Sequence, residues 1–297
     1  MIKHFSDSTG NGTSEIYNVF EGINVIFNSI HMDRADLGCD IDGEVIEIHH
    51  CQEGSLEHVC GKDFVYLMPG DLTISRRKKN EDICFFPLRH YHGITITINE
   101  EVANNCFSCL LRDVNVNPSK LADTLCGDRN CYVIRRQDYI EHIFSEIYSV
   151  PEEHRSGYFK IKILELLYVL SWRETGKLKE KPAITKAKAD LAKDVATYLC
   201  HNSARKVTCN ELSEHFHMSA SNIRTAFKDV YGIPVSSYLR TYKIQCASSL
   251  LIKTDKPITE IAGECGYDNP GKFSAAFKEI MGETPHDFRN NHLDTTN

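Results

Sequence analysis

The sequence has no run of 18 apolar residues, so it offers no transmembrane helix and no membrane partner is expected. Its opening, MIKHFSDSTGNGTSE, lacks the hydrophobic stretch of a secretory signal, and a cytoplasmic location is expected. It also lacks an excess of positive charge: 34 Lys and Arg face 41 Asp and Glu, a net of −7. That balance argues against binding DNA by bulk charge. Metal-site spacing is scarce too. Of 12 cysteines, only Cys106 and Cys109 form a CxxC, with no second pair to complete a zinc site. The cysteines are expected to be reduced thiols acting as small hydrophobes. No Ser/His/Asp or paired-carboxylate motif is present, so no catalytic residue and no cofactor is expected.

What is present is ordinary globular material. Hydrophobic residues make up 41% and charged residues 25% of 297, enough for two domains with their own cores. From about 15 to 99 the chain reads as short strands bounded by turn residues: YNVF, EVIEIHHC, DFVYLM, DLTISR, DICFF and HGITITIN. Their close spacing predicts a small barrel or sandwich. From 118 to 173 the period becomes helical. In 158–173, Ile163, Leu166, Leu167 and Leu170 form one stripe, which Ile161, Leu164 and Tyr168 broaden. Such a helix packs on the barrel with one side and a second chain with the other, or is buried throughout. Residues 174–186, polar and lysine-rich, read as a linker.

The C-terminal part contains a repeat. Segment 208–240 resembles 257–289: Ala226-Phe227-Lys228 matches Ala276-Phe277-Lys278 at an offset of 50, as Gly232 matches Gly282. Thr208-x-x-Glu211 is a capping box, and Ser219 caps the helix after the next turn. Ile223, Ala226, Phe227 and Val230 then face a core, leaving Ser221, Arg224, Thr225 and Lys228 outside. In the second copy Asn269 caps, Pro270 takes the first helical position, and Phe273, Ala276, Phe277 and Ile280 face inward. Gly271, Lys272, Ala275 and Lys278 lie outside. A duplicated helix-turn-helix, able to set a helix in the major groove, fits this pattern.

The segments ITEIAGECGYDNPGKFSAAFK (258–278), GETP (282–285) and Phe288-Arg289 closely resemble the signature of the arabinose-regulator (AraC/XylS) family of bacterial transcription factors. The first copy is similar through SASNIRTAFK (219–228), GIP (232–234) and YLR (238–240). The resemblance covers 188–291. It implies two helix-turn-helix subdomains joined by one long helix, a double-stranded DNA partner, and contact with RNA polymerase. The DNA-contacting residues it implies are Ser219, Ser221, Asn222, Arg224, Thr225, Lys228, Arg240, Lys243, Asn269, Gly271, Lys272, Ala275 and Lys278. Two positions depart from the family. Lys243 stands where Arg is usual, keeping charge without the planar fork, and Gly271 replaces a frequent Ser. Direct base reading is therefore expected to rest mainly on the first copy.

IEIHHCQEG (46–54), YLMPGDL (66–72) and FPLRHYHGITITI (86–98) resemble the cupin-type effector domain found in many members of that family. Alternation sets Ile46, Ile48 and His50 on one strand face and Val45, Glu47, His49 and Cys51 on the other, so the adjacent histidines cannot both line a barrel. His90-x-His92 has metal-ligand spacing but no evident partner carboxylate, and no metal is expected. For a small-molecule effector, His50, Tyr66, Arg89 and His92 are the lining candidates. The basic run Arg76-Arg77-Lys78-Lys79 reads as a solvated loop.

The expected fold class is α+β. It comprises a cupin-like β-barrel with dimerisation helices (1–173), a linker (174–186), and an all-α DNA-binding domain with two helix-turn-helix motifs (187–297). The expected function is sequence-specific transcription regulation, as a ligand-responsive activator and homodimer. The rivals are a metal-binding cupin enzyme and a DNA-alkylation sensor, each fused to the DNA-binding module. The acid excess lies in the first part: 1–181 hold 20 basic and 28 acidic residues, 182–297 hold 14 and 13. The cations of the second part must then gather on one face, with acids such as Glu264 and Asp287 elsewhere.

Overall fold

Alternation of β-branched and aromatic residues with small polar ones builds the first half of the chain, and a 3.6-residue period builds the second. The computed structural model describes residues 1–37, 43–60, 63–77, 83–107, 117–127, 131–171 and 184–293. It divides into two compact units, Met1–Lys186 and Ala187–Asn297. The class is α+β, and no helix among the described residues is long and apolar enough to cross a membrane.

In the first unit the strands are β1 (Ile2–Asp7), β2 (Gly10–Phe20), β3 (Ile23–His31), β4 (Arg34–Asp36), β5 (Val45–Gly54), β6 (Leu56–Cys60), β7 (Asp63–Leu67), β8 (Leu72–Arg77), β9 (Ile83–Phe85), β10 (Tyr91–Asn99) and β11 (Cys131–Ile134). The helices are α1 (Glu100–Phe107), α2 (Pro118–Cys126), α3 (Asp138–Ser149) and α4 (Arg155–Leu170). Seven strands form an antiparallel sheet in the order β1-β2-β3-β10-β5-β8-β11; four form a second, β4-β9-β6-β7. Neither sheet closes among the described residues: of the expected barrel or sandwich, the described strands give two open sheets and no closed barrel. Strands begin earlier than the pattern indicated, because IKHFSD in β1 exposes most of its side chains and gives no apolar alternation.

The large sheet is buried on both faces. One face carries Val25, Ile46, Ile48, Ile94, Ile96 and Ile98, packed with Ile143, Phe144, Phe159, Ile163 and Leu167 of α3 and α4. On the other side Ile30, Cys51, Tyr91 and Val133 join Leu56, Val65 and Leu67 of the small sheet. Burying a Val, Leu, Ile or Phe side chain contributes about 1.5–3 kcal/mol, which is why both faces can hold. Between the apolar positions runs a buried polar row. Ser14 Oγ donates to Asn28 Oδ1 (2.6 Å), Asn28 Nδ2 donates to Thr95 Oγ1 (2.9 Å), and Thr95 Oγ1 also meets His49 Nδ1 at 2.9 Å.

Three expectations change here. Residues 174–183 of the expected linker lie outside the described residues, and Ile184 pairs with Phe64 in an antiparallel bridge (N–O 2.7 and 3.0 Å). The basic run is not simply solvated: Arg76 is paired with Glu100 and Asp123 and Arg77 with Glu47, while Lys78 and Lys79 lie outside the described residues. The cysteines are not all reduced thiols. Cys131 is disulfide-bonded, whereas Cys51, Cys84, Cys126, Cys200, Cys209, Cys246 and Cys265 are free. Cys109 lies outside the described residues, and with it the CxxC.

The second unit is helical: α5 (Lys186–His201), α6 (Cys209–Phe216), α7 (Ala220–Tyr231), α8 (Val235–Lys253), α9 (Ile258–Glu264), α10 (Pro270–Met281) and α11 (Pro285–Leu293). The helix α8 leads from the α6–α7 pair to the α9–α10 pair. Its Ile244, Ala247 and Leu251 are buried with Ile261, Phe273, Phe277 and Phe288 of the later helices.

Candidate nucleic-acid interface

Two helices in the second unit share one construction. Ser219 Oγ accepts from the Asn222 amide (3.2 Å) to start α7, and Gly232 ends it in the left-handed region at φ 73°. Asn269 Oδ1 accepts from the Gly271 and Lys272 amides (2.8 and 3.0 Å) to start α10, and Gly282 ends it at φ 84°. Ile223, Ala226, Phe227 and Val230 are buried on α7, and Phe273, Ala276 and Phe277 on α10. Ile280 is partly buried.

That burial turns the other face outward. Ser219, Ser221, Asn222, Arg224, Thr225 and Lys228 are exposed on α7, as are Asn269, Gly271, Lys272, Ala275 and Lys278 on α10. Arg224, Lys228 and Lys272 form no ion pair among the described residues. Thr225 differs, since its hydroxyl donates to the Ser221 carbonyl at 3.0 Å.

The turn before each of these helices is left-handed. His217 holds φ 52° after α6, and Gly266 holds φ 73° at the corresponding place in the second copy. Glycine is required at the second turn for space as well as angle, because a Cβ there would lie 2.7 Å from the Ala204 carbonyl oxygen. Thr208 Oγ1 accepts from the Glu211 amide (3.2 Å), as the capping box predicts. The Glu211 carboxylate also takes hydrogen bonds from Arg205 and from Tyr198 (2.7 Å), and these hold its pKa down at about 2.

A groove of about 860 Å³ runs between the two copies. Six cations line it: Arg205 and Lys206 from the loop after α5, Arg224 and Lys228 from α7, and Arg240 and Lys243 from α8. Asp268 is the one acid among the lining residues. Glu264 pairs with Lys256 and Asp287 accepts from Thr284, and neither lines the groove. A nearly neutral unit thus concentrates cations on one surface, which suits a polyanion.

Two of the expected cationic contacts are engaged within the protein as well. Arg240 forms a bidentate pair with Glu279 of α10 (2.8 and 2.6 Å). Lys243 is half-buried, with Nζ 3.4 Å from the Gly266 carbonyl oxygen and 5.7 Å from the centre of the Tyr267 ring, and burial lowers its pKa. Lysine at this position therefore tethers the second turn. Sequence reasoning missed Arg205 and Lys206, which sit in an irregular loop with no periodic signal.

Residues 212–291 match the helix-turn-helix domain family. An uncharacterised HTH-type transcriptional regulator of Bacillus subtilis, YtdP, is 24% identical over 219 residues, 69% of this chain and 27% of that protein. The bifunctional transcriptional activator/DNA repair enzyme AdaA of B. subtilis is 32% identical over 32% of this chain and 45% of its own length. The xylose operon regulatory protein of Haemophilus influenzae is 31% identical over 32% of this chain and 24% of its own. Residues 212–291 thus form a helix-turn-helix domain of the AraC type. The chain spans only about a quarter to just under half of each relative's length.

The four expected effector residues of the first unit have separate sets of contacts. His50 is buried on the helix-covered face, stacked 3.9 Å from Phe144, with Nε2 2.6 Å from Glu141 Oε1. Tyr66 is buried and donates to Glu57 (2.6 Å) on the small sheet. Arg89 pairs with Asp33 (2.5 Å) in a turn where its own φ is 51°. His92 meets His31 and Ser29, each at 3.4 Å. Each is fixed by different partners because strand alternation and the division into two sheets separate them.

Proposed function

We propose that this chain is a sequence-specific transcription regulator, whose second unit contains two helix-turn-helix subdomains with α7 and α10 in adjacent major grooves. The observation that carries the reading is the repeated capped helix with a buried stripe and an outward face, beside a groove lined by six cations. Side chains near a helix N-terminus can then reach base edges, while lysines and arginines meet phosphates. On α7, Ser221, Asn222, Arg224 and Thr225 offer several hydrogen-bonding groups. On α10, Gly271, Lys272 and Ala275 offer one charged donor between them. Base reading rests mainly on α7, and α10 contributes phosphate contact and an apolar touch from Ala275.

The first unit, in this reading, is the cupin-like sensing part, and a small-molecule effector shifts the balance between two arrangements of a homodimer. The helix α4 supports the dimer: Phe159, Ile163 and Leu167 are buried against the sheet, while Ile161 and Tyr168 are 63% and 47% exposed on another side. Activation through RNA polymerase and a cytoplasmic location belong to the same proposal, in which the chain is not an enzyme. A DNase I footprint on the DNA upstream of its own gene, at low salt, tests it. A protected site of operator length is expected; absence of any protection would overturn the reading.

A further inference from the structure

Binding of a transition-metal ion needs several lone pairs aimed at one point, with each imidazole held in a fixed orientation. At one end of the large sheet, His31, His90 and His92 bring one ring nitrogen each to within 4.8 Å of one another. Strand register makes this possible. His92 stands opposite Ser29 of β3 on one side and opposite Glu53 of β5 on the other. Directly opposed residues share a face, so the imidazole and carboxylate project together. His90, one pair further along, comes next to His31.

The two faces of the cluster differ. His90 Nε2 and His92 Nδ1 lie 3.3 and 3.8 Å from the same oxygen, Glu53 Oε2. Their opposite nitrogens meet His31: His90 Nδ1 is 3.3 Å from His31 Nδ1, and His92 Nε2 is 3.4 Å from His31 Nε2. We propose that His31, His90 and His92 bind one divalent first-row transition-metal ion such as Zn²⁺, with Glu53 behind His90 and His92 orienting their rings.

Nitrogens about 2.0–2.1 Å from a tetrahedral zinc stand about 3.3–3.4 Å apart. One nitrogen from each of the three rings already lies within 4.8 Å of the others, and because His90 meets Nδ1 of His31 and His92 meets its Nε2, a turn of the exposed His31 ring brings one of the two to the ion. The Glu53 carboxylate, within hydrogen-bond distance of His90 and 3.8 Å from His92, stands where a carboxylate fixes the tautomer of a metal-bound histidine. Three neutral nitrogens and no thiolate favour zinc and its neighbours over calcium or magnesium. The Ser29 hydroxyl, 3.4 Å from His92 Nε2, makes a contact the ion would replace. His31 is exposed, which leaves a fourth position open to water.

The backbone around the cluster is strongly constrained. Gly54 holds φ 78°, and a Cβ there would lie 1.8 Å from the His90 carbonyl oxygen. The Arg89 backbone is left-handed beside it, held by the ion pair with Asp33. A register shift between His92 and Gly93 against β5 sets Glu53 opposite His92. Such constraints position side chains closely at the end of a sheet, where strands otherwise fray.

The test uses the full-length protein, reduced and freed of metal by dialysis against a chelator. It is titrated with Zn²⁺ against a chromophoric competitor, and separately with Co²⁺ by visible absorption. The expected result is one ion per chain, with cobalt d–d bands and no thiolate-to-cobalt charge-transfer band. His90→Ala and His92→Ala should each weaken Zn²⁺ binding by about 100-fold or more, and Glu53→Gln by about 10- to 100-fold. The two histidine side chains are 35% and 34% exposed and that of Glu53 is 58% exposed, so circular dichroism should report folded variants. If a histidine variant fails to fold, Glu53→Gln decides. Wild-type affinity in the folded variants, or a charge-transfer band from the cysteines, would overturn the proposal.

Discussion

Arg240 and Glu279 form a bidentate ion pair, with Nη1–Oε1 2.8 Å and Nη2–Oε2 2.6 Å, that ties α8 to α10. Arg240 also lines the basic groove, so the same guanidinium is shared between holding α10 and meeting a polyanion. Glu279 is the residue that decides between those uses. Glu279→Gln should release Arg240 to phosphate, tightening non-specific DNA binding and steepening its salt dependence by about one counterion. Fluorescence anisotropy across a salt series reads both, and an unchanged slope would show that Arg240 faces no phosphate.

The two left-handed glycines give a stability prediction. Gly266→Ala and Gly282→Ala both place a side chain at positive φ, 73° and 84°, at a cost of about 1–2 kcal/mol. Only the first also drives a Cβ against backbone, 2.7 Å from the Ala204 oxygen; at Gly282 nothing lies within 4 Å. Gly266→Ala should therefore destabilise the second unit clearly more than Gly282→Ala in a urea titration. Equal effects would mean the loop at Ala204 yields freely.

Acid should weaken the first unit through His58. Burial and the neighbouring His49 hold His58 down to about 4, with Glu47 opposing. The unfolded chain takes up this proton near 6.5 and the folded one only near 4. Stability therefore falls as pH drops from about 6.5 to 4 and is level above that range. The His58 imidazole resonances should titrate with a midpoint near 4, and His58→Gln should flatten the decline in Tm over that window. A midpoint near 6.5 would contradict this.

Ile161 and Tyr168 lie seven residues apart on α4, on a side the sheet does not cover. Replacing Ile161 by Glu should shift sedimentation from dimer toward monomer while leaving the far-UV circular dichroism unchanged, because no contact within the chain's own core is lost. A dimer that persists would place the interface elsewhere.

The sequence was most informative where local rules decide structure. Ser219 and Asn269 announced helix starts, and the i, i+3, i+4, i+7 spacing of Ile223, Ala226, Phe227 and Val230 announced the buried stripe. Long-range pairing was less legible. His90-x-His92 showed ligand spacing, but the third histidine and the carboxylate arrive through β3–β10 and β5–β10 register and a bulge, which no local pattern encodes. Likewise Arg205 and Lys206 gained meaning only when their loop came to line the groove. The four effector candidates were chosen for chemistry, and alternation placed His50 under a helix.

Binding of the full-length chain and its variants to its operator and to base-substituted operators, at fixed salt, compares the proposed reading by α7 and α10 directly. Arg224→Ala should lose about 1–3 kcal/mol of discrimination at the bases it faces, while Lys272→Ala should weaken all sequences alike. Loss of discrimination by Lys272→Ala, with Arg224→Ala still fully selective, would contradict that proposal.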